Sequence, residues 1–180
     1  MKQEYIITIF SENHIGLLNR ITIIFTRRKI NIESLTVSQS AIAGVFKFTI
    51  VINETAERVQ KVVGQLEKVV DVLKAFANTN DEMVYQEIAI YKVSTESLFE
   101  SNQIEIIIRN SGARILEITR DYVVIEKTGH SEETQALFEE LNPFGVYQFN
   151  RSGRVAITRS NIEKLSEFLK ERDSMLEQID

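Results

Sequence analysis

Ser11-Glu12-Asn13-His14-Ile15-Gly16-Leu17-Leu18-Asn19-Arg20, followed eleven residues later by Asn31-Ile32-Glu33-Ser34-Leu35, decides how this chain folds. The apolar run Tyr5 to Phe10 stops just before the first stretch, and a helical pattern starts just after it. A strand ends, a short polar turn follows, and a helix opens at a glycine. The first N–H groups of a helix lack internal partners and carry partial positive charge, so they can seat a carboxylate. Gly16 has no Cβ, which lets a ligand approach the backbone. Asn13 supplies a donor and an acceptor beside that seat. An α-amino acid needs such a set: donors for its carboxylate, acceptors for its ammonium, and an apolar wall for its side chain. Asn and Gly ahead of a helix also serve as ordinary turn and cap residues. These few positions alone do not separate the two uses.

Working outward, the first eighty residues read as strand, helix, strand, strand, helix, strand. Leu17, Ile21, Ile24 and Phe25 fall at helical spacing. Ile32 to Ser38 reads as the second strand. Phe46, Phe48, Ile50 and Ile52 alternate along the third, after a turn at Gly44. Val59, Val62, Val63 and Leu66 form the apolar stripe of a second helix, and Val70 to Ala77 is the fourth strand. This βαββαβ order is the ferredoxin-like split motif. Asn78-Thr79-Asn80-Asp81-Glu82 is a polar break, and a domain boundary is expected there.

The remainder repeats the order. Val84 to Val93 reads as a strand and Glu96 to Arg109 as largely helical. Arg114 to Ile118 and Tyr122 to Thr128 form a hairpin, and Ser131 to Leu141 a helix stopped near Pro143. Gly145 to Phe149 and Val155 to Thr158 close the sheet. The expected fold class is α+β: two ferredoxin-like βαββαβ domains, 1–79 and 82–159, plus a helical extension over 160–180. In that extension Ile162, Leu165, Phe168, Leu169, Leu176 and Ile179 lie along one helical stripe. Packing on its own domain is the simpler expectation for it, contact with a partner the alternative.

The 180 residues suffice for one large or two small domains, and 43% hydrophobic content is ordinary for a globular chain. No apolar run approaches the roughly 20 residues needed to span a membrane. Met1-Lys2-Gln3-Glu4 leads straight into a strand pattern, so no signal peptide is expected, and a cytoplasmic setting follows. The absence of cysteine excludes disulfides, thiolate metal sites and thiol catalysis. A net charge of −5 argues against nucleic-acid binding. The basic run Arg27-Arg28-Lys29 sits where a helix C-terminus favours cations.

The joint pattern of Glu12 to Arg20 and Asn31 to Val37 resembles the start of the ACT domain in the small, regulatory subunit of acetolactate synthase (acetohydroxyacid synthase). That family opens with Glu-Asn-x-x-Gly-x-Leu-x-Arg and continues to Asn-Ile-Glu-Ser-Leu-Thr-Val. Both pieces stand intact here, at the family's separation. The resemblance covers about residues 2–159. In the second half it rests on Glu87, the Ile115–Ile125 hairpin, Thr128-Gly129 and Arg151-Ser152-Gly153, where Ser152 replaces the usual Thr. It implies a non-catalytic chain that binds a separate catalytic (large) subunit. That partner, not this chain, would carry thiamine diphosphate, magnesium and FAD. The chain would activate it and confer feedback inhibition by branched-chain amino acids, above all valine. The resemblance also implies a homodimer with the ligand between two chains. Asn13, Ile15, Gly16, Leu17 and Leu18 would come from one chain, Asn31 and Ile32 from its mate. The Gly16–Leu18 amides would hold the carboxylate, and Asn31 would lie near the ammonium.

No catalytic constellation stands beside these residues. His14 and His130 are the only histidines, far apart and without a His-x-x-x-His pair, so no metal is expected. No nucleophile elbow, Walker loop or dinucleotide fingerprint occurs. Glu132-Glu133 and Glu139-Glu140 fit the solvated face of a helix. A different class of function remains open: a free-standing amino-acid sensor acting on a transcription factor or another enzyme. Genomic adjacency to a thiamine-enzyme gene discriminates between the two.

Overall fold

The computed structural model describes residues 1–96, 103–162 and 165–170. Two compact units emerge: Met1–Val84 together with Arg154–Asp180, and Tyr85–Gly153. The first contains β1 (Gln3–Glu12), α1 (Leu17–Arg27), β2 (Ser34–Gln39), β3 (Val45–Glu54), α2 (Ala56–Leu66) and β4 (Val72–Thr79). The antiparallel strand order is β2-β3-β1-β4. Alternation along β1 and β3 sends Tyr5, Ile7, Ile9, Phe48, Ile50 and Ile52 to one face. The helices lay Leu17, Ile21 and Phe25, and Val59, Val62 and Leu66, onto it at the spacing that keeps one helical face turned inward.

Element ends differ from the sequence expectation by a few residues. β2 begins at Ser34; Ile32 instead packs half-buried on the core from the preceding connection. Val70 is fully exposed, and β4 begins at Val72. The polar stretch 78–82 is no slack linker. β4 runs through Thr79, and a short 3-10 turn, Asn80–Glu82, follows at once. The Glu82 carboxylate accepts the Thr79 N–H at 2.8 Å. The turn feeds directly into β5 (Met83–Ser94).

The second sheet repeats the first. β5, α3 (Gln103–Ser111), β6 (Arg114–Ile118), β7 (Tyr122–Gly129), α4 (Ser131–Leu141) and β8 (Val146–Arg151) give the order β6-β7-β5-β8, with the antiparallel pairing of the first sheet. The fold is thus α+β, two βαββαβ sheets of the ferredoxin-like kind. Ala89, Tyr91, Val123 and Ile125 face Ile104, Ile108, Leu137 and Leu141 in its core. Of the helix expected over 96–109, residues 97–102 lie outside the described residues.

β9 (Val155–Thr158) also pairs with β5. From Arg154 onward, however, the chain groups with the first unit. Buried Arg154 donates from Nη1 to Glu4 Oε1 at 2.7 Å and to Asn80 Oδ1 at 3.2 Å. Lys47 donates to the Ala156 carbonyl. Residues 154–159, read from the sequence as the end of the second domain, thereby complete the first. Residues 165–170 are helical; Leu176 and Ile179 lie outside the described residues.

Candidate effector site

The turn after β1 is built as the sequence suggests. Gly16 is the N-cap of α1 with φ +83° and ψ −2°, the left-handed region where a side chain is strained. A Cβ placed there would meet nothing within 4 Å, so the space above the helix start is open. The Leu17 N–H donates to the His14 carbonyl at 3.2 Å, and the Arg20 N–H to the Gly16 carbonyl at 3.2 Å. Between them, the amides of Leu18 and Asn19 have no partner among the described residues. They are the two free donors that an anion at this helix end would use. Leu17 is buried in the core, whereas Asn13, Ile15, Gly16 and Leu18 are exposed; Ile15 projects fully into solvent.

Asn31 and Ile32 lie at the other end of α1. Eleven helical residues separate the groups by about 16 Å at 1.5 Å per residue, so one chain does not bring them together. Asn31 is exposed, with its Nδ2 donating to Glu33 Oε1 at 2.9 Å. β2, which follows, is an edge strand of the sheet.

Sequence reasoning missed Asp71. Its carboxylate comes from the connection between α2 and β4. Oδ1 lies 2.8 Å from His14 Nδ1, and Oδ2 pairs with the Arg20 guanidinium. The Glu12 N–H donates to the Asp71 carbonyl at 3.0 Å. The hydrogen bond from His14 and the charge of Arg20 hold the Asp71 carboxyl below the usual carboxylate range, against the opposing effect of burial. The arrangement fastens both flanks of the Asn13–Gly16 turn to one anchor. Glu12, His14 and Asp71 can offer three ligand atoms within 4.8 Å of one another, a grouping invisible to local spacing because Asp71 is 57 residues from His14. Arg20 places a cation against Asp71 in this grouping.

The motifs read in the second half have structural work. Arg151 pairs with Glu87 at 3.4 Å and donates to the Ser131 carbonyl at 2.9 Å and to Thr134 Oγ1 at 3.1 Å. Ser152 exchanges bonds with Ile88: its Oγ accepts the Ile88 N–H at 2.9 Å, and its N–H donates to the Ile88 carbonyl at 2.8 Å. Gly129 leaves room for the Glu133 carboxylate, which folds back to accept the His130 N–H at 2.7 Å. These contacts close the sheet and start α4. Among the described residues no helix is long and apolar enough to cross a membrane.

Fold and site together define a two-domain α+β protein with an ACT-type first domain. A family model described as "AHAS small subunit-like ACT domain" matches residues 7–74, and one described as "Small subunit of acetolactate synthase" matches residues 86–160. The acetolactate synthase small subunit of Bacillus subtilis is 38% identical over 162 residues, 89% of this chain and 94% of that one. The small subunit from Mycobacterium leprae is 31% identical over 85% of this chain and 90% of its own length. The crystal structure of the Thermotoga maritima small subunit superposes with a TM-score of 0.80 at 25% identity, covering 89% of this chain and 99% of that one. The chain belongs to the acetolactate synthase small-subunit family.

Proposed function

We propose that this chain is the regulatory subunit of an acetolactate synthase. It binds a separate catalytic subunit in the cytoplasm, raises that subunit's activity, and makes it answer to a branched-chain amino acid, with valine the first candidate. Thiamine diphosphate, magnesium and FAD would belong to the catalytic partner.

The observation that carries the effector reading is the head of α1. There a left-handed glycine faces open space beside two amides without partners among the described residues, with Ile15 and Leu18 exposed on either side. The carboxylate would sit on the amides of Leu18 and Asn19, one residue further into the helix than the Gly16–Leu18 set implied by resemblance. Leu17 already spends its N–H on His14 and turns its side chain into the core. The separation of Asn31 and Ile32 from Gly16 supports a site shared between two copies. A two-fold pairing is the commonest way to unite such half-sites, and the exposed edge of β2 is available for it. Asn31 and Ile32 of the second copy would then meet the ammonium and the aliphatic side chain.

The test mixes the full chain with its catalytic subunit and follows acetolactate formation with and without valine. Activation that valine reverses is expected. A catalytic subunit indifferent to the added chain would refute the regulatory assignment. Activation without any response to valine, leucine or isoleucine would refute the effector assignment alone.

A further inference from the structure

Leu165, Phe168 and Leu169 repeat at i, i+3 and i+4, one face of a helix. That face lies on Phe10 and Val45, with Ile42, Leu73 and Phe76 around them. Leu165 is 0% exposed, as completely buried as the centre of the sheet's main core. The Lys74 ammonium stands 5.9 Å from the centre of the Phe168 ring. The far end of the turn goes further: Leu169 lines an open depression together with Asn13 and His14 of the effector turn. Phe10, which Leu165 covers, lies near the end of β1, three residues upstream of Asn13 in the turn. Residues 165–170 lie past residue 160, where the family match ends.

We propose that residues 165–170 are a strap that holds the effector turn in its binding geometry and so sets the affinity of the site for its amino acid. The proposal rests on the effector reading above for its consequence, but not for its mechanics. The strap fixes the end of β1 from the face opposite the helices, while Asp71 fixes the turn through His14, Arg20 and the Glu12 N–H. A turn already ordered loses less conformational freedom when a ligand arrives, so binding is tighter. Releasing the strap leaves every ligand-contacting group in place and weakens binding by loosening the turn. This also distinguishes the strap from a tail that merely packs on its own domain.

Two full-chain variants test it: Leu165→Ser, which removes the buried anchor, and Leu169→Ala, which removes only the side chain at the turn. Hydrogen exchange is read without ligand at the Glu12 and Leu17 amides, both bonded around the turn, with Val59–Leu66 amides of α2 as control. Valine affinity is then measured by calorimetry. Faster exchange at Glu12 and Leu17 with α2 unchanged is expected, together with valine binding weakened by at least about fivefold in Leu165→Ser. Unchanged exchange at both amides in both variants would overturn the strap, as would accelerated exchange with unaltered valine affinity. Should Leu165→Ser fail to fold, Leu169→Ala decides on the same two readouts. Should the unaltered protein bind none of valine, leucine and isoleucine, the effector assignment falls, and the exchange data still decide whether the strap orders the turn.

Discussion

The sheet of β1–β4 and the sheet of β5–β8 run in the same strand order, yet their outer faces meet different surroundings. Ile6 and Val51, register partners on the face of the first sheet turned away from its helices, are 0% and 2% exposed. Ile88 and Ile90, on the corresponding face of β5, are 45% and 41% exposed. The returning chain lies along this outer face of the first sheet. Arg154 on Glu4, Ala156 on Lys47 and Leu165 on Phe10 all touch outward-facing positions of the first sheet. The first domain is a three-layer body with helices on one face and its own later residues on the other. Among the described residues the second is a two-layer body. The same βαββαβ plan thus yields a closed domain that holds a turn in place, and an open one with apolar groups on show. The turn proposed to bind the effector belongs to the closed domain.

Substitutions can break this comparison. Val51→Lys buries an ammonium at a position only 2% exposed and should cost about 3–5 kcal/mol, read as a large drop in the denaturation midpoint. Its counterpart Ile90→Lys keeps its charge in water and should stay within about 0.5 kcal/mol. Equal losses would mean that the two faces are equally covered. A smaller effect concerns Tyr91, whose buried hydroxyl donates to the Thr134 carbonyl at 2.6 Å. Tyr91→Phe removes that bond and should cost about 1 kcal/mol.

The same phenol makes a pH prediction for the second domain. Burial pushes the Tyr91 hydroxyl up to about 12 from its ordinary 10. Its neutral form is favoured by folding, so this contribution is complete below pH 10 and is lost as pH rises towards 12. In the first domain the sign is opposite. Hydrogen bonding from Lys2, with help from the Thr55 N–H and Arg58, holds the Glu54 carboxyl below the ordinary 4.5. That contribution is present above pH 4.5 and is lost as pH falls through the depressed value. Acid melts should therefore flatten in Glu54→Gln, and alkaline melts in Tyr91→Phe. Swapped behaviour would show that the groups are misassigned to their limbs.

What is legible in the sequence follows the range of the interactions. Strand alternation and helix spacing are local, so Tyr5, Ile7, Ile9, Phe48, Ile50 and Ile52 and the stripes of α1, α2 and α4 can be read from the order of residues alone. The Gly16 turn is readable too, because a glycine between a strand and a helix has few conformational uses. Element ends are displaced where a side chain serves the core from outside its element, as Ile32 does. The illegible part is made by chain return. Asp71 joins His14 across 57 residues, and Arg154 joins Glu4 across 150. No local pattern marks such pairs. Even Arg151-Ser152-Gly153, visible as a motif, takes its meaning only where β8 lies beside β5 and Ser152 closes on Ile88.

The most direct test of the central claim compares Gly16→Asp with Gly16→Asn in the full complex with the catalytic subunit. Both substitutions impose the same left-handed strain and nearly the same bulk at Gly16, and only Asp adds a charge beside the free amides of Leu18 and Asn19. If those amides seat the effector's carboxylate, like-charge repulsion in a partly shielded site costs on the order of a few kcal/mol of effector binding. Valine inhibition should then be lost in Gly16→Asp and kept in part in Gly16→Asn, while both still activate the catalytic subunit. Identical valine inhibition curves for the two variants would contradict the account.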